Sequence, residues 1–135
     1  RYGSSAASDV YKRQDQIKKN ILSKSFNVID ARSLERFEGK VSEPRKGLRS
    51  GHIQNSFCLP FNQCINQKTG EFKNLEELRE LFNQNENIKK RLDQVFTCGS
   101  GVTAAVLAYA YKMVNNDYIP KIYDGSWSEY GKYPA

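Results

Sequence analysis

The stretch TCGSGVTA, residues 97–104, decides how this sequence is interpreted. The apolar run 94–97 predicts a buried strand, and the largely apolar run 104–114 predicts a helix buried on most of its surface. Cys98 therefore stands at the carboxyl end of a strand, where α/β folds place their ligands. Gly99 and Gly101 allow the loop 99–103 to curl tightly, because glycine adopts backbone angles that other residues resist.

A curled loop of this kind can hold an anion. Its backbone N–H groups turn inward, and the positive end of the following helix dipole points at the same place. A thiol there is expected to exist largely as the nucleophilic thiolate, and a persulfide would be held by the same donors. The hydroxyl groups of Ser100 and Thr103 can add hydrogen bonds to the sulfur or to a bound substrate. We therefore predict that Cys98 is a nucleophile and not merely a small buried residue.

The two other cysteines and the single histidine are predicted to be structural. Cys58 lies in a strand-like apolar run that ends at Pro60, and Cys64 is followed by no comparable loop. Three cysteines without regular spacing do not form a disulfide framework and suit a reducing compartment. His52 is the only histidine, which excludes a His-rich metal site, and we favour a structural role for it over that of a base for Cys98.

Strands and helices alternate along the rest of the chain. Short apolar runs predict strands at 26–30, at 57–59 and at 119–124, and helical periodicity predicts helices at 15–23 and 75–82, capped by Asp15 and Asn74. A short helical turn is expected at 32–37, a polar loop at 39–51 and a further helical piece at 88–92. This alternation predicts one α/β domain with a parallel sheet covered on both faces. Residues 1–14 continue no pattern and are interpreted as a non-native tag or a disordered linker, which leaves 15–135 as the domain.

The composition excludes several other classes. The longest apolar stretch, 104–111, is shorter than a membrane span requires. The net charge is +6, but Lys and Arg are scattered among Glu and Asp, with no zinc-ligand spacing and no ribonucleoprotein motif, so a nucleic-acid partner is not expected. The same charge is compatible with anionic small molecules as ligands.

Several separate motifs carry a resemblance to a known family. Residues 98–103 (CGSGVT) resemble the active-site loop of 3-mercaptopyruvate sulfurtransferases, and residues 28–32 (VIDAR) and 51–53 (GHI) are similar to the two signatures near the start of a rhodanese domain. Residues 123–127 (YDGSW) match the last strand and turn of such a domain. The resemblance runs from about residue 15 to about residue 131 and is closest to the C-terminal catalytic domain of these enzymes. It implies a rhodanese-like fold, with a central, mostly parallel five-stranded sheet and helices on both faces.

The resemblance also implies a reaction. Cys98 would take sulfur from 3-mercaptopyruvate, release pyruvate, and pass the sulfur from a persulfide to cyanide or to an acceptor thiol such as thioredoxin. Ser100 would assist proton movement or polarise the substrate. Arg36 and Arg45, in the segments RF and EPR, would bind the substrate carboxylate and keto oxygen, whereas Arg32 would pair with a carboxylate and hold the fold. The remaining implied substrate-binding residues are Gly99, Gly101, Val102 and Thr103. No metal or organic cofactor is implied, and a cytoplasmic or mitochondrial location follows from the resemblance.

The chain departs from the family in one respect, and alternatives remain open. Enzymes of this family commonly have two rhodanese domains, and the N-terminal one contributes an acidic residue and part of the site wall. The resemblance implies that this sequence corresponds to the second domain alone, so we expect the N-terminal one to be missing here. Thiosulfate-type members carry basic residues at the positions of Gly99 and Ser100, so these neutral residues favour 3-mercaptopyruvate. The alternatives are a thiosulfate:cyanide sulfurtransferase and a non-catalytic rhodanese binding module. A phosphatase on the same fold is disfavoured, because residues 99–105 contain no Arg or Lys to hold phosphate.

Overall fold

A parallel sheet forms the centre of the molecule. The computed structural model describes residues 10–88 and 92–132. Its strands are β1 (Phe26–Asp30), β2 (Phe57–Cys58) and β3 (Asp93–Thr97), in the order β2-β1-β3. Both neighbours of β1 run parallel to it, and β1 pairs with β3 over its whole length. The carboxyl ends of β1 and β3 therefore lie side by side, and Cys98 follows β3 at this edge, as predicted.

The expected five-stranded sheet is not confirmed. Beyond β3 the described part of the chain continues the sheet through single bridges, in which Ile122 is paired in parallel with Phe96 on one side and Tyr11 on the other. The predicted strand at 119–124 is reduced to this contact, because Pro120 has no N–H to donate to a ladder. Residues 10–12 thus lie against the sheet, since the N–H of Lys12 donates to the carbonyl of Ile122. Residues 1–9 lie outside the described residues.

Helices cover both faces of the sheet. They are α1 (Gln14–Ser23), α2 (Leu34–Phe37), a 3-10 helix (Phe61–Cys64), α3 (Leu75–Gln84), α4 (Val102–Val114) and α5 (Ser126–Tyr130). Alternation along β1 sends Val28 into a cluster with Ile17 of α1 and Trp127 of α5, and sends Ile29 into a cluster with residues of α3 and α4. No helix in residues 10–88 and 92–132 is long and apolar enough to cross a membrane.

The structure confirms one predicted helix cap and corrects two predicted helix starts. Asn74 does cap α3, accepting from the N–H of Glu77, whose side chain accepts from the N–H of Asn74 in return. Asp15 is not a cap, because α1 begins at Gln14 and Asp15 lies in its first turn. Helix α4 begins at Val102, so the loop after Cys98 is two residues shorter than expected. The helical piece expected at 88–92 falls mostly outside the described residues.

Candidate active site

Cys98 lies between the end of β3 and the start of α4. The residue is 1% exposed, and its Sγ accepts a hydrogen bond of 2.9 Å from the N–H of Gly101. Because α4 begins at Val102, this donor belongs to the N-terminal end of the helix. The N–H group and the helix dipole both favour negative charge on the sulfur. The prediction of a cysteine held by a backbone donor at a strand-to-helix junction is confirmed.

Gly101 is required for two separate reasons. Its φ of +96° lies in the region that side chains disfavour, and a Cβ built on it would meet the backbone oxygen of Asp124 at 2.8 Å and Oδ1 of Asp124 at 2.9 Å. Asp124 therefore lies against the loop that carries the Sγ donor. Any side chain at position 101 would push the loop away from Asp124 and displace the N–H that reaches Cys98.

Arg36 and Arg45 meet at Gly99. A Cβ added to Gly99 would lie 2.7 Å from Nη2 of Arg36 and 3.6 Å from Nη1 of Arg45. The structure thus brings together the two arginines that the sequence placed in separate segments, and it brings them to the residue that follows Cys98. A planar carboxylate bound by such guanidinium groups would lie beside the sulfur.

Glu43 holds Arg36 in this position. Its carboxylate, which is 1% exposed, accepts from Nη2 of Arg36 at 2.7 Å and from Nε at 3.2 Å. It also accepts from Nη1 of Arg32 at 3.1 Å, and Arg32 in turn binds Asp30 at 2.7 Å. The hydrogen bond with Glu43 raises the pKa of Arg36, so the guanidinium stays charged. Arg32 is confirmed as a residue that pairs with carboxylates and braces the fold.

The charge balance distinguishes the two arginines that are predicted to bind the substrate. Arg32 and Arg36 face Asp30 and Glu43, so this network is neutral. Arg45 is exposed, and it takes part in none of the ion pairs found among residues 10–88 and 92–132. Arg45 therefore supplies the uncompensated positive charge beside the loop, whereas Arg36 supplies a fixed orientation.

The remaining predicted site residues lie around the loop at different depths. Ser100 is exposed, Val102 is 72% exposed, and Thr103 is half-buried in the first turn of α4. Within the described ranges, neither the Ser100 nor the Thr103 hydroxyl has a hydrogen bond to Sγ of Cys98. Ser100 and Thr103 therefore do not support the sulfur in this structure, and contact of Ser100, Val102 and Thr103 with a substrate stays a prediction.

The other cysteines are poorly suited to nucleophilic chemistry. Burial, and to a lesser degree the charge of Asp30, raises the pKa of Cys58 to about 12. Burial raises the pKa of Cys64 to about 11. All three cysteines are free thiols. Within the described part of the chain no cluster of His, Cys, Asp and Glu could hold a metal ion.

His52 is engaged away from the sulfur. Its Nδ1 lies 2.7 Å from the carbonyl oxygen of Phe37, and its ring stacks on the Phe37 ring with centroids 3.8 Å apart. These contacts support the structural role. Residues 51–53 precede the nearest strand, because β2 begins at Phe57.

Two residues of the site were missed by the sequence prediction of catalytic and binding residues. Glu43 was noted only as part of the EPR segment, and nothing in a polar loop indicates that its carboxylate is buried. Ser126 was noted only within YDGSW, although its hydroxyl accepts from the N–H of Cys98. No local sequence pattern marks Glu43, which precedes Pro44, or Ser126, which follows Gly125. The site residues that they bind lie in other segments of the chain.

Substitution of Gly99 by alanine tests the placement of Arg36. The new Cβ would collide with Nη2 of Arg36, which is held by Glu43 and cannot retreat freely. We expect the KM for a carboxylate-bearing sulfur donor to rise about tenfold, the equivalent of one lost charge-assisted hydrogen bond, while the protein remains folded. Steady-state kinetics and a melting curve measure both quantities. Ser23→Ala, at the exposed end of α1 and outside the loop 99–103, serves as the control, and an unchanged KM in Gly99→Ala would contradict the assigned contact.

Comparison of the sequence with known proteins finds relatives that match most of this chain. Residues 13–133 match the family model described as rhodanese-like domain. The chain is 42% identical over 120 residues to thiosulfate/3-mercaptopyruvate sulfurtransferase 1, mitochondrial, of Arabidopsis thaliana, covering 89% of this chain and 31% of that protein. It is 41% identical over 119 residues to human 3-mercaptopyruvate sulfurtransferase, covering 88% of this chain and 39% of that protein.

Solved structures show the same relationship. The 3-mercaptopyruvate sulfotransferase SseA of Escherichia coli superposes with a TM-score of 0.72 at 30% identity, covering 90% of this chain and 44% of that one. The Tum1 protein of Saccharomyces cerevisiae superposes with a TM-score of 0.79 at 26% identity, covering 90% of this chain and 43% of that one. The chain thus spans about a third of the length of the curated relatives and less than half of these two solved chains.

Proposed function

The chain belongs to the rhodanese family, and on that premise we propose that it is the cysteine-bearing domain of a sulfurtransferase that takes sulfur from 3-mercaptopyruvate. The observation that carries the proposal is the contact of Cys98 Sγ with the Gly101 N–H, next to two guanidinium groups at Gly99. Both functions that the reaction needs meet at one loop, because Gly101 stabilises the thiolate of Cys98 and the guanidinium groups of Arg36 and Arg45 reach Gly99 from other segments. Relatives that carry this activity in their names support it.

The first half of the reaction transfers sulfur to the protein. The Cys98 thiolate attacks the sulfur of 3-mercaptopyruvate, an S–S bond forms, and the C–S bond breaks. The electron pair of the broken bond passes to the carbon and delocalises onto the keto oxygen, giving the enolate of pyruvate, which then takes up a proton. Arg36 and Arg45 bind the carboxylate and stabilise the charge that develops on the keto oxygen. Ser100, exposed at the loop, is proposed to assist the proton transfer.

The second half returns the protein to its starting state. An acceptor thiolate or cyanide attacks the outer sulfur of the Cys98 persulfide, and the Cys98 thiolate leaves. The Gly101 N–H stabilises this leaving group as it stabilised the attacking thiolate. We propose a protein thiol of the thioredoxin type as the acceptor, in the cytoplasm or the mitochondrion. The free state of the three cysteines supports a reducing compartment.

The choice of donor rests on charge at the loop. Thiosulfate has no carboxylate and a more concentrated charge, so basic residues at positions 99 and 100 would favour it, whereas this chain has glycine and serine there. Thiosulfate remains the second candidate donor, because the Arabidopsis relative carries both donors in its name. The partial coverage of the relatives supports a further proposal, that an additional rhodanese domain completes the wall of the site.

Intact mass spectrometry tests the proposed function directly. After brief incubation with 3-mercaptopyruvate we expect the protein to gain the mass of one sulfur atom and the solution to gain an equal amount of pyruvate. A parallel incubation with thiosulfate ranks the two donors, and we expect a slower gain. If neither donor adds sulfur, the measurement is repeated with the N-terminal rhodanese domain of the human relative added. Continued absence of an adduct would support the binding-module alternative and refute the enzyme.

A further inference from the structure

Ser126 is a strained and completely buried residue next to the backbone of Cys98. It is 0% exposed, and its φ is +54°. This left-handed conformation is costly for a residue with a Cβ and is ordinarily occupied by glycine. Gly125, immediately before it, has an ordinary φ of −57°. The chain thus has a serine at a position where glycine would relieve the backbone strain. The feature that glycine would lack is the hydroxyl group.

The hydroxyl group of Ser126 uses its full hydrogen-bonding capacity. Its Oγ accepts from the N–H of Cys98 at 3.1 Å and from Oγ1 of Thr97 at 3.1 Å, and it donates to the carbonyl oxygen of Tyr123 at 2.9 Å. A hydroxyl offers one donor and two acceptor sites, so all of them are satisfied. All three partners are buried. The hydroxyl therefore ties the end of β3 to the turn that precedes α5.

The two residues after Ser126 complete the attachment. The N–H of Trp127 donates to the carbonyl of Cys98 at 2.9 Å, and the N–H of Ser128 donates to the carbonyl of Gly99 at 2.9 Å. The backbone of Cys98 is consequently held through its N–H on one side and its carbonyl on the other. With both peptide planes held, the side chain of Cys98 projects in one direction, towards the N–H of Gly101.

We infer that Ser126 is a positioning residue, whose hydroxyl orients the Cys98 peptide so that the sulfur meets the Gly101 N–H. The inference rests on the proposed function in that it assumes Cys98 to be the reacting group. Without the hydroxyl, the buried N–H of Cys98 and the hydroxyl of Thr97 would lose their partner. The Thr97–Cys98 peptide would rotate to recover one, and the sulfur would move away from its donor.

A positioning role for Ser126 predicts that its substitution lowers the rate of sulfur uptake and leaves the KM of the donor unchanged. Ser126 contacts neither Arg36 nor Arg45 in the described residues, so binding of the donor is retained and its KM is unchanged. Sγ of Cys98 loses the hydrogen bond from the Gly101 N–H that favours negative charge on the sulfur, so its nucleophilic reactivity falls. The rate of sulfur uptake falls while affinity for the donor persists. A merely structural serine would alter stability and leave the reactivity of Cys98 unchanged.

The test measures the rate of Cys98 alkylation by iodoacetamide, located by peptide mass spectrometry. In Ser126→Ala and Ser126→Gly we expect the alkylation rate at neutral pH to fall about tenfold, which corresponds to the loss of one hydrogen bond to a charged sulfur. Single-turnover uptake of sulfur from 3-mercaptopyruvate at neutral pH should fall about tenfold by the same relation. Ser126→Gly keeps the comparison valid, because glycine relieves the strained backbone and preserves folding.

Ser128→Ala is the matched control. Ser128 lies in the same turn, and its hydroxyl donates to the carbonyl of Gly125 at 2.8 Å without touching Cys98. We expect its alkylation rate to equal that of the unmodified protein. A folded Ser126→Gly variant with an unchanged rate would overturn the inference, as would an equal fall in Ser128→Ala. Alkylation needs no sulfur donor, so failure of the proposed sulfur transfer would be seen separately, as uptake absent from the unmodified protein.

Discussion

Replacement of Cys98 by serine is expected to abolish sulfur transfer. Serine cannot form a persulfide, and its hydroxyl remains protonated at neutral pH. Pyruvate release from 3-mercaptopyruvate should therefore fall by at least about 1,000-fold, the scale on which loss of a covalent nucleophile acts. The gain of a sulfur atom in the intact mass should vanish. Because serine is close to cysteine in size, the melting temperature should remain near that of the unmodified protein.

Cys58→Ser and Cys64→Ala are the matched controls for this experiment. The pKa values of about 12 for Cys58 and about 11 for Cys64 keep both thiols protonated at neutral pH. Sulfur uptake should therefore persist in both variants, although Cys64 is fully buried and its truncation will lower stability. Sulfur retained by Cys98→Ser, or lost in Cys58→Ser, would refute the assignment of the nucleophile.

Substitution of Glu43 by glutamine is expected to have the second largest effect, on both stability and substrate binding. Glutamine keeps the size of the side chain and removes the charge that faces Arg32 and Arg36. Arg32 is 1% exposed, so it would lose one of its two charged partners within the protein interior. The free energy of unfolding should fall by about 3 kcal/mol, as for other buried ion pairs from which one partner is removed. Urea denaturation measures this change.

The same variant should also loosen Arg36. Glutamine keeps only one oxygen that can accept from Arg36, so the guanidinium is held less firmly beside Gly99, and the KM for 3-mercaptopyruvate should rise about tenfold. Glu38→Gln is the control, since Glu38 pairs with Lys40 at an exposed position and should cost less than about 1 kcal/mol. Equal effects of Glu43→Gln and Glu38→Gln would contradict the importance assigned to the buried network.

Local patterns in the sequence predicted much of the framework. The apolar runs at 26–30 and 94–97 are β1 and the last four residues of β3, and the capping pair Asn74 and Glu77 begins α3. Alternation of strands and helices predicted the parallel sheet covered on both faces. These features depend on spacing within a few residues, namely periods of two or 3.6 and a cap three residues away, so they are visible before the chain folds.

Where the local signal was weaker, the predictions failed. An apolar run at 119–124 predicted a strand, but the described part of the chain forms only two isolated bridges there, both at Ile122. Pairing at this position depends on Pro120 and on the available neighbours, one of which is Tyr11, in the segment that the sequence predicted to be a non-native tag or a disordered linker. The start of α4 at Val102 was also not predicted, because the glycines of the loop give no local signal for the residue at which helical hydrogen bonding begins.

The sequence by itself determined that a cysteine follows a strand, enters a glycine loop and precedes a helix, since this order is a local property of residues 94–114. Only the tertiary structure decided that Arg36 and Arg45 converge on Gly99, that a buried Glu43 orients one of them, and that Ser126 holds the peptide of Cys98. These contacts join residues separated by up to 63 positions or lying in a loop without periodicity. Their geometry follows from how the sheet and its loops pack, which no local pattern encodes.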